Sequence, residues 1–122
     1  PWARVAHAGM FRDPQSLKPT VYRSWVAENL SEDIVIILEP MLATAGSAAA
    51  TAAMAVQMGA KPSNIILMSL VAAPEGIKAF SQAYPESLIV VGAVDERLDH
   101  RGYIVPGLGD AGDRLFGTAP MH

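Results

Sequence analysis

This sequence predicts an α/β fold with a mostly parallel central sheet flanked by helices, and three observations carry the prediction. Three apolar runs of strand length recur along the chain, helical or loop segments separate them, and the helical segments end on Gly or Pro. That alternation is the pattern of βα repeats, whose parallel sheet is expected to be covered on both faces.

Taken in order, Arg4 to Met10 reads as a strand. The polar stretch from Arg12 to Ser24, punctuated by Pro14 and Pro19, reads as a mobile loop or two-stranded arm, a flexible arm near residues 12–26. Asp33 to Leu38 contains Ile34-Val35-Ile36-Ile37-Leu38, continuous and β-branched, and is expected to be a central buried strand. Asn64 to Val71 and Ser87 to Val94 read alike. Ser47 to Met58 is rich in alanine, the best helix former, and is closed by Gly59 at a C′ position with Pro62 beyond it. A second helix runs from Pro74 to about Ala83, with Pro at its first position, Glu75 and Gly76 in its first turn and Pro85 forbidding continuation. Tyr103 to Val105 is a short strand that leads into Pro106-Gly107-Leu108-Gly109-Asp110-Ala111-Gly112. The 122 residues suit one domain, residues 1–122, and one core.

Composition narrows the function classes. Hydrophobic residues make up 51% and charged residues 17%, the balance of a packed globule. A net charge of −3 offers no basic surplus for a phosphate backbone, so nucleic acid is not an expected partner. With no cysteine there is no disulfide, zinc ribbon or thiol chemistry, which suits a reducing compartment and a cytoplasmic location. His7, His100 and His122 show no ligand spacing, and no metal-ligating set is expected. Pro40 to Ala60 is uncharged and long enough to span a bilayer, but its alanine bulk favours a helix outside the membrane. Because the first residue is Pro1, the chain is expected to be trimmed after an initiator Met or to be the back portion of something longer.

The strongest site candidate is the segment from Leu38 through Glu39, Pro40, Met41, Leu42, Ala43, Thr44, Ala45 and Gly46 to Ser47. It joins a strand to a helix, where free N–H groups and the helix dipole favour an anion beyond the carboxyl end of the sheet. Thr44 and Ser47 add hydroxyl donors and Glu39 can accept from sugar hydroxyls. Equally, Thr44 or Ser47 merely caps the helix. Gly107, Gly109 and Gly112 spell G-x-G-x-x-G, but too little chain follows for a dinucleotide-binding unit. The segment is then a Gly-rich surface turn, or a place where main-chain groups line the edge of a planar base. Asp110 and Asp113 also suit turn and helix-start roles. Trp2, Tyr22 and Trp25 suit core or interface packing, or the arm.

Three blocks resemble the uracil phosphoribosyltransferase family: Glu39 to Ser47, Leu70-Val-Ala-Ala-Pro-Glu-Gly-Ile77, and Gly102 to Thr118. Gly9-Met-Phe-Arg12 adds to the match. The resemblance implies a type I phosphoribosyltransferase fold and the reaction of uracil with 5-phosphoribosyl pyrophosphate (PRPP) to give UMP and pyrophosphate, in pyrimidine salvage, with Mg²⁺ bound through PRPP. It implies a PRPP loop of Glu39, Pro40, Met41, Leu42, Ala43, Thr44, Ala45, Gly46 and Ser47, with Ala43 to Ser47 around the 5′-phosphate. It further implies that Arg12 reaches the pyrophosphate, that Ile104, Gly109, Asp110 and Ala111 hold uracil, and that Asp110 stands at the junction of base and ribose. Arg12 and Asp110 are thus the expected catalytic residues. A GTP effector and a homo-oligomer are further expectations from the family. The chain departs from the family's pattern in having Glu39 for Asp and Ala45 for Gly, and in Asp13-Pro14-Gln15 after Arg12. The family's N-terminal part, with its Leu-Arg-Ala-Gly loop, is absent from these residues. The alternative reading is a non-catalytic nucleotide-binding or interaction module of the same fold.

Overall fold

The computed structural model describes residues 3–12, 19–25 and 29–118. Its centre is a parallel sheet. Strands β3 (Val35–Leu38) and β4 (Met41–Leu42) pair in succession with one edge of β5 (Ile65–Ala72), and β6 (Leu88–Val94) pairs with the other. Between β3 and β4 the pairing with β5 is interrupted at Glu39-Pro40 without a change of register, and Pro40 offers its carbonyl to both the Leu70 and the Val71 N–H, at 3.0 and 3.2 Å. An antiparallel pair, β1 (His7–Arg12) with β2 (Pro19–Trp25), forms the arm. A small hairpin, β7 (Arg97–Leu98) with β8 (Ile104–Val105), follows the sheet.

Helices α1 (Gly46–Gln57) and α2 (Pro74–Ala83) cover one sheet face. Ala48, Ala52 and Ala55 recur at helical spacing and let α1 lie close against Ile37, Ile65 and Leu67. Fully buried Phe80 of α2 completes the core, and each such large side chain contributes roughly 1.5–3 kcal/mol by leaving water. Tyr84 packs on Phe80 at 5.3 Å between ring centroids and donates its hydroxyl to the Ala49 carbonyl at 3.2 Å, joining the two helices. The end of α1 is a Schellman closure: the Gly59 N–H donates to Val56 O at 2.9 Å and the Ala60 N–H to Ala55 O at 3.0 Å. The predicted helix limits hold to within a residue, and α2 begins at Pro74 as expected. No helix among the described residues is long and apolar enough to cross a membrane, and α1 spans 12 residues of the uncharged stretch.

Two expectations are corrected. The run from Asp33 to Leu38 is not a central strand among the described residues: β5 holds that place, and β3 pairs there with β5 alone. Nor are both faces covered among the described residues, since Leu38 is 75% exposed and Leu70 71% exposed on the face away from α1 and α2. An apolar run records what its side chains favour as surroundings; it does not say which neighbours occupy each edge and face.

The arm is two-stranded as far as it is described. Residues 13–18 and 26 of the expected flexible arm lie outside the described residues, as do the side chains of Arg12, Tyr22 and Trp25.

Candidate functional site

Leu42, Ala72 and Val94 are register neighbours across the sheet, so the segments that follow β4, β5 and β6 all leave from one rim. The first and last of these strands are two strand spacings apart, on the order of 10 Å. This is the carboxyl end of the parallel strands, the side on which ligands bind in open α/β sheets.

The first rim segment is the one from Glu39 to Ser47. Its backbone turns at Ala43, whose N–H donates to Met41 O at 3.1 Å, and enters α1 through Ala45, which holds φ 66° and ψ 5°. The N-cap position of α1 is held by Ala45, whose methyl offers no acceptor, and not by Thr44 or Ser47. The N–H groups of Gly46, Ser47 and Ala48 occupy the first three helical positions, where no intrahelical carbonyl reaches them. Glu39 and residues 41–48 enclose a hollow of about 50 Å³. Amide donors and a helix dipole directed at a small polar hollow can hold a phosphate.

What sets this loop in place lies in the next junction of the chain. The Ala73 N–H donates to Leu42 O at 2.9 Å. A Cβ on Gly76 would stand 2.3 Å from the Ala43 carbonyl oxygen and 2.9 Å from that of Leu42. Only a residue without a side chain lets the first turn of α2 seat against the loop at that distance. The spacing argument for α2 used Gly76 only as a first-turn residue; the close approach across 33 positions of sequence leaves no local signal.

The second rim segment runs from Val94 through the β7–β8 hairpin to α3 (Ala111–Phe116). Three carboxylates hold it by accepting backbone N–H groups. Glu75, in the first turn of α2, accepts from Leu98 at 3.0 Å; Asp95 accepts from Gly107 at 2.9 Å; Asp99 accepts from Arg101 at 2.8 Å and Tyr103 at 2.9 Å. The Leu98 N–H holds Glu75 below the ordinary carboxylate value, and the Tyr103 N–H does the same for Asp99, because each bond favours the ionised form. Ile104 is buried as the apolar anchor of the hairpin. Gly107, at φ +51°, turns so tightly that a Cβ would lie 2.1 Å from Ile104 O. Gly109 follows at φ +78°, and Asp110 is the N-cap of α3, accepting from the Asp113 N–H at 2.9 Å. The turn and helix-start reading of Asp110 is therefore met, and it occupies only Oδ1. Arg114 steadies the loop by donating to Leu108 O at 3.0 Å.

The fold thus brings Glu39 to Ser47 and Ile104 to Ala111 to one rim. Arg12 ends β1 opposite Pro19, and its side chain lies outside the described residues. Among the described residues no group of three or more His, Asp or Glu could hold a metal by itself. Glu75, Gly76 and Asp95, which shape both loops, were not singled out as site residues from sequence.

Comparisons with known proteins agree with this arrangement. The family model described as uracil phosphoribosyltransferase matches residues 1–118. The uracil phosphoribosyltransferase of Oceanobacillus iheyensis is 51% identical over 118 residues, which are 97% of this chain and 56% of that protein. That of Deinococcus radiodurans is 52% identical over 97% of this chain and 55% of its own length. Among solved structures, the AQ2163 protein of Aquifex aeolicus superposes with a TM-score of 0.88 at 39% identity, covering 97% of this chain and 55% of that one. The APRTase of Giardia lamblia complexed with 9-deazaadenine gives 0.55 at 19% identity over 75% of this chain and 50% of its own, a likeness of fold. The fold is that of the type I phosphoribosyltransferases. The chain spans about half the length of the curated relatives it matches. With a family match over nearly all its residues and relatives at about half identity, the chain belongs to the uracil phosphoribosyltransferase family.

Proposed function

We propose that this chain supplies the phosphoribosyl-binding and uracil-binding loops of an enzyme that converts uracil and PRPP to UMP and pyrophosphate. The observation that carries this reading is the placement of the α1 N-terminus, entered through Ala45, and a Gly-rich loop on one rim, at the spacing of a mononucleotide. In this reading Ala43 to Ser47 surround the 5′-phosphate, and Glu39 accepts from ribose hydroxyls. Pro40, Met41 and Leu42 fix the path between them. Arg12 reaches the pyrophosphate. Ile104, Gly109 and Ala111 present main-chain groups to uracil, and Asp110 stands where base meets ribose.

The reaction makes a bond from a uracil ring nitrogen to the ribose anomeric carbon and breaks the bond from that carbon to pyrophosphate. Positive charge develops on the ribose, so positioning of both partners and stabilisation of the leaving group supply most of the acceleration. Asp110, with Oδ2 left by the cap, faces that developing charge. The donor set at the rim suits a Mg²⁺ that arrives on PRPP with most of its ligands from phosphate and water, because no protein cage is built there among the described residues. Bound in this way, the ion would neutralise charge on the pyrophosphate.

Calorimetry with UMP and CMP tests the reading. Uracil offers N3–H and O4 where cytosine reverses donor and acceptor, so fixed backbone groups should favour UMP by about tenfold or more. Equal affinities would overturn the uracil assignment. Labelled-uracil conversion, measured with Asp110→Asn beside the unaltered chain, separates catalysis from binding alone. Asn caps a helix as well as Asp, so the melting temperature should hold while turnover falls. Unaltered turnover would make Asp110 a cap only.

A further inference from the structure

Asp95 follows the last residue of β6 and belongs to neither loop, yet it touches the support of both. Its own N–H donates to Ala72 O at 2.9 Å, which extends the β5–β6 pairing by one residue beyond Val94. The next residue, Ala73, donates to Leu42 at the base of the phosphate loop. On its other side, Asp95 Oδ2 accepts from the Gly107 N–H at 2.9 Å, in a half-buried position. Gly107 is the turn from which Gly109 to Ala111 continue, and it is confined to glycine because a Cβ would meet the Ile104 carbonyl. The hairpin ladder, through Glu96 N–H to Val105 O at 3.0 Å, ends two residues before Gly107. The loop beyond it is therefore tied to the sheet rim by the Asp95 carboxylate.

We propose that Asp95 is a positioning residue for base recognition: through Gly107 it sets the height of the Ile104–Ala111 loop above the rim that carries the phosphate loop. This deepens the reading given under Proposed function and rests on it. A carboxylate accepting a backbone N–H makes a stronger bond than a neutral acceptor. Removing the acceptor leaves the Gly107 N–H unpaired in a half-buried turn and frees the loop. Affinity that comes from the base should then depend on Asp95, while affinity that comes from the phosphate should not.

The test compares UMP with ribose 5-phosphate by calorimetry for the unaltered chain, Asp95→Ala and Asp95→Asn, together with amide hydrogen exchange at Gly107. Asp95→Ala is expected to weaken UMP about tenfold, as loss of one such bond predicts, and to leave ribose 5-phosphate within about twofold. Asp95→Asn keeps an acceptor oxygen and should recover most of the UMP affinity, and Gly107 exchange should quicken in the Ala variant alone. If Asp95→Ala does not fold, Asp95→Glu serves: its extra methylene displaces Gly107 and should lower the UMP to ribose 5-phosphate ratio. Equal losses for the two ligands, unchanged UMP affinity with unchanged Gly107 exchange, or an Asn variant no better than Ala would each overturn the proposal. If the unaltered chain binds UMP no tighter than ribose 5-phosphate, the base-loop reading itself fails. In that case Gly107 exchange still decides whether Asp95 holds the turn.

Discussion

The two loops leave the same rim and are held there by different forces. Beneath the phosphate loop, Leu42 and Ala48 are buried, Ala45 nearly so, and the backbone of α2 meets the loop backbone directly at Gly76. The base loop has Ile104 as its buried anchor and is otherwise fastened by carboxylates that accept exposed or half-exposed N–H groups. One loop is set by close packing, which tolerates almost no change of volume. The other is set by polar bonds, which depend on the charge of their acceptors. A phosphate needs amides at fixed positions whatever the base, whereas a loop fastened by a few bonds at one end of a sheet can be altered without disturbing the core.

The largest effect that can break this contrast is expected from Gly76→Ala. The added methyl has nowhere to go, because its neighbours are main-chain carbonyls, so the helix or the loop must shift at a cost of roughly 1–3 kcal/mol. Urea unfolding should show that loss, and calorimetry should show UMP and ribose 5-phosphate weakened together. A variant that loses base-dependent affinity alone would erase the distinction between the loops.

Acid should act on the base loop first. Glu75 and Asp99 titrate below their ordinary values in the folded chain. Their contribution is therefore complete above the ordinary carboxylate values of ~4 and is lost as the pH falls through the lowered ones. Amide exchange followed from neutral pH downward should show Leu98 and Tyr103 losing protection before Ala49 and Ala73. Simultaneous loss would mean that both loops depend on the same packing.

The smallest change is expected from Ala45→Gly. A left-handed backbone costs a residue with a Cβ about 1–2 kcal/mol, but Gly loses more chain entropy on folding and gives up a buried methyl worth about 0.8 kcal/mol. The two sides nearly cancel, so thermal unfolding should move little. Ribose 5-phosphate affinity, measured by calorimetry, should also move little, since the methyl removed is buried.

Local chemistry made much of this molecule legible. Pro74 and Pro85 bracket α2, Gly59 closes α1, and both extremes appear where spacing places them, because caps and breakers act within a few residues. The stretch Glu39 to Ser47 was also legible as a junction of small residues between a strand and an alanine-rich helix, and it lies at the carboxyl end of the sheet. The order of strands was not legible. Ile34 to Leu38 looks central and is an edge among the described residues, because a continuous apolar run reports preference and not neighbours.

By itself, then, the sequence determined the long apolar strands, where α1 and α2 begin and end, and which two loops carry small, backbone-exposing residues, while the short elements β4, β7 and α3 left no such signal. Its likeness to a family named the chemistry those loops suit. Only the tertiary structure decided that Leu42, Ala72 and Val94 stand side by side, that Ala45 holds the N-cap position of α1, that Gly76 yields its Cβ space to Ala43, and that Asp95 fastens Gly107. Propensities and caps are settled within a turn of chain, whereas these contacts join residues made neighbours by the packing of the whole sheet and hairpin, and no periodicity encodes them.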